Sequence, residues 1–379
     1  MIRTYRYGLR LDDFTPGAVF EHPWEVTVDA GMVALFAASF QDALPTYASR
    51  IAARALGLED RPVHPLLLLN LGISFSVHDV SEQAIANLGY RDVRFPSPCY
   101  PGDTVRARSR VIGVKPVTSP DKGVVQVRTH LVNERDELVC SFERKALVRA
   151  GHAEDHPGKT VSGSLPGAAT GSLSAVIAEE LVGDGDLPRI PAAMSSTLAH
   201  GGRALPRPRF ATLWEDFEVG DVLAHDVGRT VSEAELMTLT TLARNSHPLH
   251  TDEVYCKTGS FAKTRVAYGG LVLSWALSLA SRDTAGNALW DLGLDEASHT
   301  GSVLSGDTLF SASKVLEKKP VDARTGEVTL RVVGTKNVPA RLLLGRGASL
   351  FEPELPKTEG RVPEKVVEIT RRLLVQRRA

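Results

Sequence analysis

The sequence predicts an α+β protein made of two copies of one domain, each an antiparallel sheet wrapped around a buried helix. Two observations carry this expectation: an internal repeat of about half the chain, and in each copy an apolar helical stretch followed by alternating β-rich runs. Asp13-Phe14-Thr-Pro-Gly17-Ala-Val19-Phe-Glu-His22 returns as Asp216-Phe217-Glu-Val-Gly220-Asp-Val222-Leu-Ala-His225, a shift of 203 residues from Asp13 to Asp216. Thr27-Val28 then matches Thr230-Val231, Pro45 matches Pro248, and Pro101-Gly102-Asp103-Thr104-Val105 matches Ser305-Gly306-Asp307-Thr308-Leu309. The period is too long for a solenoid unit, so it marks a duplicated domain.

Each copy opens with a helical stretch, Asp29 to Phe40 and Ser232 to Ala243. Asp29 and Ser232 are good N-caps, and Glu235 completes the capping-box spacing in the second copy. A polar turn with proline leads into a second helix whose sequence is almost continuously apolar, from Leu66 and from Leu271, which means burial on most faces. Alternating runs follow at Thr104 to Ile112 and Val124 to Val132, and at Thr308 to Leu316 and Glu327 to Val333. One helix covered by an antiparallel sheet is the natural packing of such elements.

The chain divides into a first domain over 1–150, a linker over 151–209, a second domain over 210–350 and a tail over 351–379. The linker is rich in Gly, Ser, Pro and Ala, with one expected short helix from Ser174 to Leu181. The tail is expected to end as an amphipathic helix from Pro363 to Arg378, with Val366, Val367, Ile369, Leu373 and Leu374 as its apolar stripe. Its arginines Arg371, Arg372, Arg377 and Arg378 then read as a solvated face, with a contact to a ligand phosphate as the lesser reading.

A net charge of -1 with 23% charged residues removes the electrostatic case for nucleic acid or a general membrane surface as partner. Met1 to Leu11 has no apolar core of a signal peptide and no stretch is long enough to span a bilayer, so a cytoplasmic location is expected. Cys99, Cys140 and Cys256 lie far apart without CxxC spacing and are expected to be buried small apolar residues.

Arg244-Asn-Ser-His-Pro-Leu-His250-Thr-Asp, followed by Val266-Ala-Tyr-Gly-Gly-Leu271, resembles the hydratase motif of the MaoC-like, R-specific enoyl-CoA hydratases. Ala86-Asn-Leu-Gly-Tyr90 and Pro98-Cys-Tyr-Pro-Gly-Asp-Thr104 narrow the resemblance to the mesaconyl-CoA hydratase, or β-methylmalyl-CoA dehydratase, group. The resemblance covers about 13–150 and 213–340 and implies a double hot-dog fold. It implies reversible hydration of a 2-enoyl-CoA, mesaconyl-CoA first, with acyl-CoA as the partner molecule and no cofactor beyond the coenzyme A of the substrate. A hydratase for plain or branched enoyl-CoA and a hot-dog acyl-CoA thioesterase are the alternatives, and a homodimer through exposed sheet edges is open. The general motif has Asp where this chain has Asn245, and Asn where it has His247; the mesaconyl-type members share the Asn.

Hydrating an enoyl thioester needs a held water, a group to take and return its proton, and donors for the enolate-like oxygen. His250 is the candidate proton carrier and Asn245 the residue that orients the water. Gly269 and Gly270, at the start of the buried helix, are candidate oxyanion donors. Tyr268 could donate to substrate, Arg265 could fork onto a substrate carboxylate, and His299 is either acyl pocket or packing. His247 and His250 lack a third ligand nearby, so metal is not expected. An Asp in place of Asn245 would repel a substrate carboxylate, by roughly 3 kcal/mol at about 6 Å and an effective dielectric near 20. In the first copy the repeat puts Asp42 at Asn245, Tyr47 at His250 and His64 at Tyr268. That copy is expected to be non-catalytic and to shape the acyl and CoA tunnel, with Asp42's reach to substrate open.

Overall fold

The computed structural model describes residues 7–153, 187–199, 212–352 and 361–378. In each copy a short helix leads to a central helix, Pro65–Phe75 in the first and Gly269–Thr284 in the second. The strands of the first copy are β1 (Val19–Thr27), β2 (Ala84–Arg94), β3 (Thr104–Pro116), β4 (Lys122–Asn133) and β5 (Leu138–Arg149). Those of the second are β6 (Val222–Thr230), β7 (Ala288–His299), β8 (Thr308–Pro320), β9 (Thr325–Lys336) and β10 (Lys365–Gln376). They form one 10-stranded antiparallel sheet in the order β1-β3-β4-β5-β2-β7-β10-β9-β8-β6. That order reads the same from either end, so the two copies are related by an approximate two-fold at the β2–β7 seam. This is the double hot-dog fold.

The local expectations hold where the physics is local. Asp29 caps Ala30–Phe40 by accepting from the Met32 N–H at 2.8 Å, and Ser232 and Glu235 form the capping box of Glu233–Leu242. All eleven residues of Pro65–Phe75 are buried. Pro65 opens that helix at a position whose N–H has no intrahelical partner anyway. The repeat is visible in tertiary detail as well. His22 bridges Asp79 (2.7 Å) and Ser109 (2.8 Å), and His225 bridges Asp283 (2.7 Å) and Ser313 (2.8 Å). Cys99, Cys140 and Cys256 are buried.

The tail is not a helix. Pro363 to Arg378 contains strand β10, which lies between β7 and β9 in the middle of the second half-sheet, so the second domain runs to the end of the described chain. A central strand covered on both faces reads as a near-continuous apolar run, which periodicity cannot separate from a helical stripe. The structure also buries Arg371, expected to be solvated. The linker holds a helix, Ala192–Ala199, with Met194 buried in the core, where none was expected. The expected helix Ser174 to Leu181 lies outside the described residues. Among the described residues no helix is long and apolar enough to cross a membrane.

The seam brings backbones unusually close. Tyr90 pairs Ala297 and Val93 pairs Leu294 across it. A Cβ on Gly89 would lie 2.4 Å from the Ala297 carbonyl oxygen, and one on Gly293 would lie 2.0 Å from that of Val93. Both glycines also have positive φ, +139° and +112°, so no other residue fits either place. Arg91 to Glu296 (3.0 Å) and Arg94 to Asp295 (3.3 Å) flank the seam, and Asn70 donates to Ser274 at 3.0 Å between the central helices.

Ending the chain after residue 352 removes a central strand and leaves β7 and β9 without it. We expect that truncation to abolish the cooperative thermal transition followed by circular dichroism; a soluble chain melting near the full-length temperature would show β10 to be dispensable.

Candidate active site

Asn245 ends the turn after Glu233–Leu242, and His247 and Pro248 start the single helical turn Pro248–Thr251 that carries His250. Asn245 is buried, and its Oδ1 accepts the His247 N–H at 3.1 Å, which leaves its amide NH2 as the donor, beside the Tyr268 hydroxyl. His247 Nδ1 accepts the Leu249 N–H at 3.1 Å, so its ring caps the turn. His250 Nδ1 lies 2.8 Å from the Val266 carbonyl oxygen. A carbonyl only accepts, so Nδ1 carries the proton and Nε2 keeps its lone pair. Tyr268, just before the central helix, places its buried hydroxyl 3.3 Å from the Asn70 carbonyl, with its ring against that of His250 at 5.6 Å.

These side chains line one narrow pocket of about 110 Å³ that opens between the two copies. Asn245, His247, Leu249, His250, Tyr268 and Gly269 come from the second copy. Ile73 from the first central helix, Val77 from the turn after it, Ala84 to Asn87 from β2, and Arg144 and Ala146 from β5 come from the first. Burial sets the proton states. It pushes His250 down to about 4 and His247, with His250 and Arg144 adding to the effect, down to about 3, so both rings are neutral at pH 7. Burial, with Tyr90 beside it, raises Tyr268 well above the usual phenol range, so its hydroxyl stays a donor. A neutral base with a free Nε2, a primary amide, a phenol and a helix N-terminus together suit proton transfer to and from a bound water beside an acceptor carbonyl.

Three of the expected site residues are not in the pocket. Arg265 pairs with Glu233 and, at 3.3 Å, with Glu253, and so is committed to local carboxylates. Gly270 faces the neighbouring central helix, where a Cβ would come 2.1 Å from Asn70 Oδ1; its role is close helix packing. His299 sits behind Gly269, its Nε2 buried without a partner 2.7 Å from where a Gly269 Cβ would be. Gly269, at the start of a 16-residue helix, is the backbone donor that lines the pocket. The carboxylates beside the motif are occupied elsewhere: Asp252 caps Glu253–Gly259 by accepting from Tyr255 N–H at 3.0 Å, and Glu253 holds Arg265. No carboxylate lines the pocket among the described residues. Asp42 lies in the two-fold-related position, 3.6 Å from His64 and 3.8 Å from Arg371, and does not line this pocket.

Sequence reasoning missed Arg144 and Asn87. Arg144 belongs to no motif, Asn87 enters only as part of the Ala86 to Tyr90 segment and without a role, and each sits on a strand whose alternation shows only that one face is inward. The signal that could have found Arg144 is its alignment with Arg371 between β5 and β10, which the long insertion of 337–364 between β9 and β10 conceals.

The fold defines the class: a double hot-dog protein of the MaoC-like type. A crystal structure described as a MaoC domain protein dehydratase from Chloroflexus aurantiacus J-10-fl superposes with a TM-score of 0.75 at 29% identity, over 98% of both chains. A Mycobacterium tuberculosis protein with a double hot-dog fold shares the architecture, with a TM-score of 0.69 at 24% identity over 97% of this chain and 98% of that one. The family model for mesaconyl-CoA hydratase matches residues 2–347, and the chain belongs to that family. It is 33% identical to β-methylmalyl-CoA dehydratase of Chloroflexus aurantiacus, over 88% of this chain and 89% of the relative. It is 34% identical to mesaconyl-CoA hydratase of Cereibacter sphaeroides, over 87% and 90%.

The buried histidines have a consequence for stability. His299, also pushed down to about 4 by burial, joins His247 and His250 in taking up its proton in the folded state far below the 6.5 of a free ring. As pH falls below about 6.5 the unfolded chain binds these protons first, so stability present above that pH is lost towards pH 4. Glu82, raised by burial to about 7, works in the opposite sense over the upper part of this range. We expect the urea midpoint to fall less steeply between pH 6.5 and 5 in His299→Gln than in the parent; equal slopes would refute the buried neutral ring.

Proposed function

We propose that this chain reversibly hydrates mesaconyl-CoA to β-methylmalyl-CoA. The observation that carries the reading is the His250 Nε2 lone pair, made available by the Nδ1 bond to Val266, in a pocket that also presents the Asn245 amide and Gly269. In the forward direction a water donates one hydrogen to His250 Nε2 and accepts one from the Asn245 amide, which turns an oxygen lone pair towards the β-carbon of the enoyl group. The C–O bond forms as the C=C π bond moves to the α-carbon and the thioester oxygen gains charge. The Gly269 N–H and the positive end of its helix stabilise that charge. The proton taken by His250 then returns to the α-carbon, so water adds across the double bond with nothing left over.

A water aimed at the carbonyl carbon by a carboxylate would make a thioesterase instead, and the engagement of Asp252 and Glu253 outside the pocket disfavours that route. Proton transfer and charge stabilisation lie within reach of these side chains and backbone groups. The proposal therefore assigns no resident metal or redox cofactor; coenzyme A enters as part of the substrate.

Incubation with mesaconyl-CoA, crotonyl-CoA and acetyl-CoA, following enoyl absorbance and free thiol, tests the reading. We expect mesaconyl-CoA hydration without thiol release, and a loss of about 10²–10⁴ in kcat in His250→Ala. Thiol release without hydration would overturn it, and crotonyl-CoA as the better substrate would move it to the plain enoyl class. The acidic limb of kcat/KM should lie well below pH 6.5, because the base is held neutral to about 4; a limb at 6.5 or above would assign the base elsewhere.

A further inference from the structure

Arg144 is a buried guanidinium with no carboxylate in contact among the described residues; Tyr90 and Tyr268 are the titratable groups beside it. Its Nη2 donates to Ser76 Oγ at 3.0 Å and its Nε has no acceptor. Buried charges are ordinarily paired, so an uncompensated guanidinium lining an open pocket calls for a partner.

The second copy shows what such a partner looks like. Arg144 stands opposite Tyr90 on β2 and Val127 on β4, and Arg371 stands opposite Leu294 on β7 and Leu330 on β9, the matching places of the repeat. Arg371, equally buried, is held by Asp291 through Nη2 (2.8 Å) and Nε (3.1 Å), with Asp42 at 3.8 Å. Asp291, opposite Leu373, is the counterpart of Asn87, opposite Ala146. Asp42 is the counterpart of Asn245, and the two make the same turn: each Oδ1 accepts the N–H two residues on, at 2.9 and 3.1 Å. Both carboxylates around Arg371 are therefore amides around Arg144. A third difference makes room. Trp290, opposite Leu374, is buried against Tyr47 at 5.3 Å, whereas its counterpart Ala86, opposite Leu147, lines the pocket.

We propose that Arg144, contributed by the first copy, binds the free carboxylate of the substrate's acyl group, taking from the ligand the negative charge that Asp291 and Asp42 supply to Arg371. This rests on the reading above that the substrate is a thioester of a dicarboxylic acid. In mesaconyl-CoA the free carboxylate is attached to the β-carbon, the atom that receives the hydroxyl. Anchoring it at Arg144 presents that carbon to the water held by His250, and the amides of Asn87 and Asn245 line the approach without competing for the guanidinium. The first copy is then part of the specificity machinery, and the residue expected in this role, Arg265, is replaced by one on the other side of the pocket.

Succinyl-CoA and butyryl-CoA test this without turnover, since they match in chain length and differ in a terminal carboxylate against a methyl. The Kd ratio of the two is measured by calorimetry for the parent, Arg144→Met and Asn87→Asp, with Arg265→Ala beside them and thermal melts for all. The parent should prefer succinyl-CoA, and Arg144→Met should lower that preference on the order of a hundredfold. Asn87→Asp, which puts a carboxylate where Asp291 stands, should lower it too, and decides the matter if Arg144→Met does not fold. Arg265→Ala should leave it unchanged. No preference in the parent, a preference that survives in Arg144→Met and Asn87→Asp, or equal weakening of both ligands would overturn the proposal. Mesaconyl-CoA hydration is scored separately: preserved hydration with a surviving preference sinks Arg144 alone, while a lost preference in a chain that hydrates nothing sinks the reaction and keeps the carboxylate site.

Discussion

The close approach of β2 and β7 is the constraint on which the rest of this structure depends. Gly89 and Gly293 allow each strand to press against a carbonyl of the other, and Gly270 lets the second central helix come up to Asn70 of the first. The sheet is thereby continuous and the two buried helices are neighbours. Because of that closeness, the start of one copy's helix lies within a side chain's reach of the other copy's strands. A looser seam would leave two competent folds and no shared pocket.

The approximate two-fold predicts two equivalent pockets, and the chain has differentiated them by a small set of exchanges. One place holds Asp42, Tyr47, His64, Pro65, Asp291 and Trp290; the other holds Asn245, His250, Tyr268, Gly269, Asn87 and Ala86. In the first set the charge is compensated and the space is filled. Carboxylates neutralise the guanidinium, an indole fills the space, and a proline removes the N–H at the helix start. The second set leaves a lone pair, an N–H, a vacant volume and a positive charge facing one another. Burial without compensation is destabilising, and such strain within an otherwise satisfied interior is what a binding site requires.

Much of the chemistry was legible because it is local. The order Asn245, His247, Pro248, His250 dictates a polar turn and one helical turn, with the His247 ring held by the Leu249 N–H two residues on, whereas the His250 tautomer is set by Val266, sixteen residues away. Cap residues Asp29, Ser232 and Glu235 mark helix starts for the same reason. Arg265 was misjudged because sequence shows a cation near the motif but not that Glu233 and Glu253 would capture it. Gly270 was misplaced and His299 left open between pocket and packing because proximity in sequence and register says nothing of which side of the helix each occupies.

By itself, the amino-acid sequence determined the duplication, the helix caps, the buried central helices, most of the strands and the polar turn that carries Asn245 and His250, since these follow from spacing and from groups that bond to near neighbours. Tertiary structure alone decided that the tail is a central strand, because a doubly covered strand and a helical stripe share one apolar pattern. It also decided which arginine faces the pocket. Arg144 and Arg371 occupy the same register, and only the charges brought to them by distant strands separate a filled interior site from an open one.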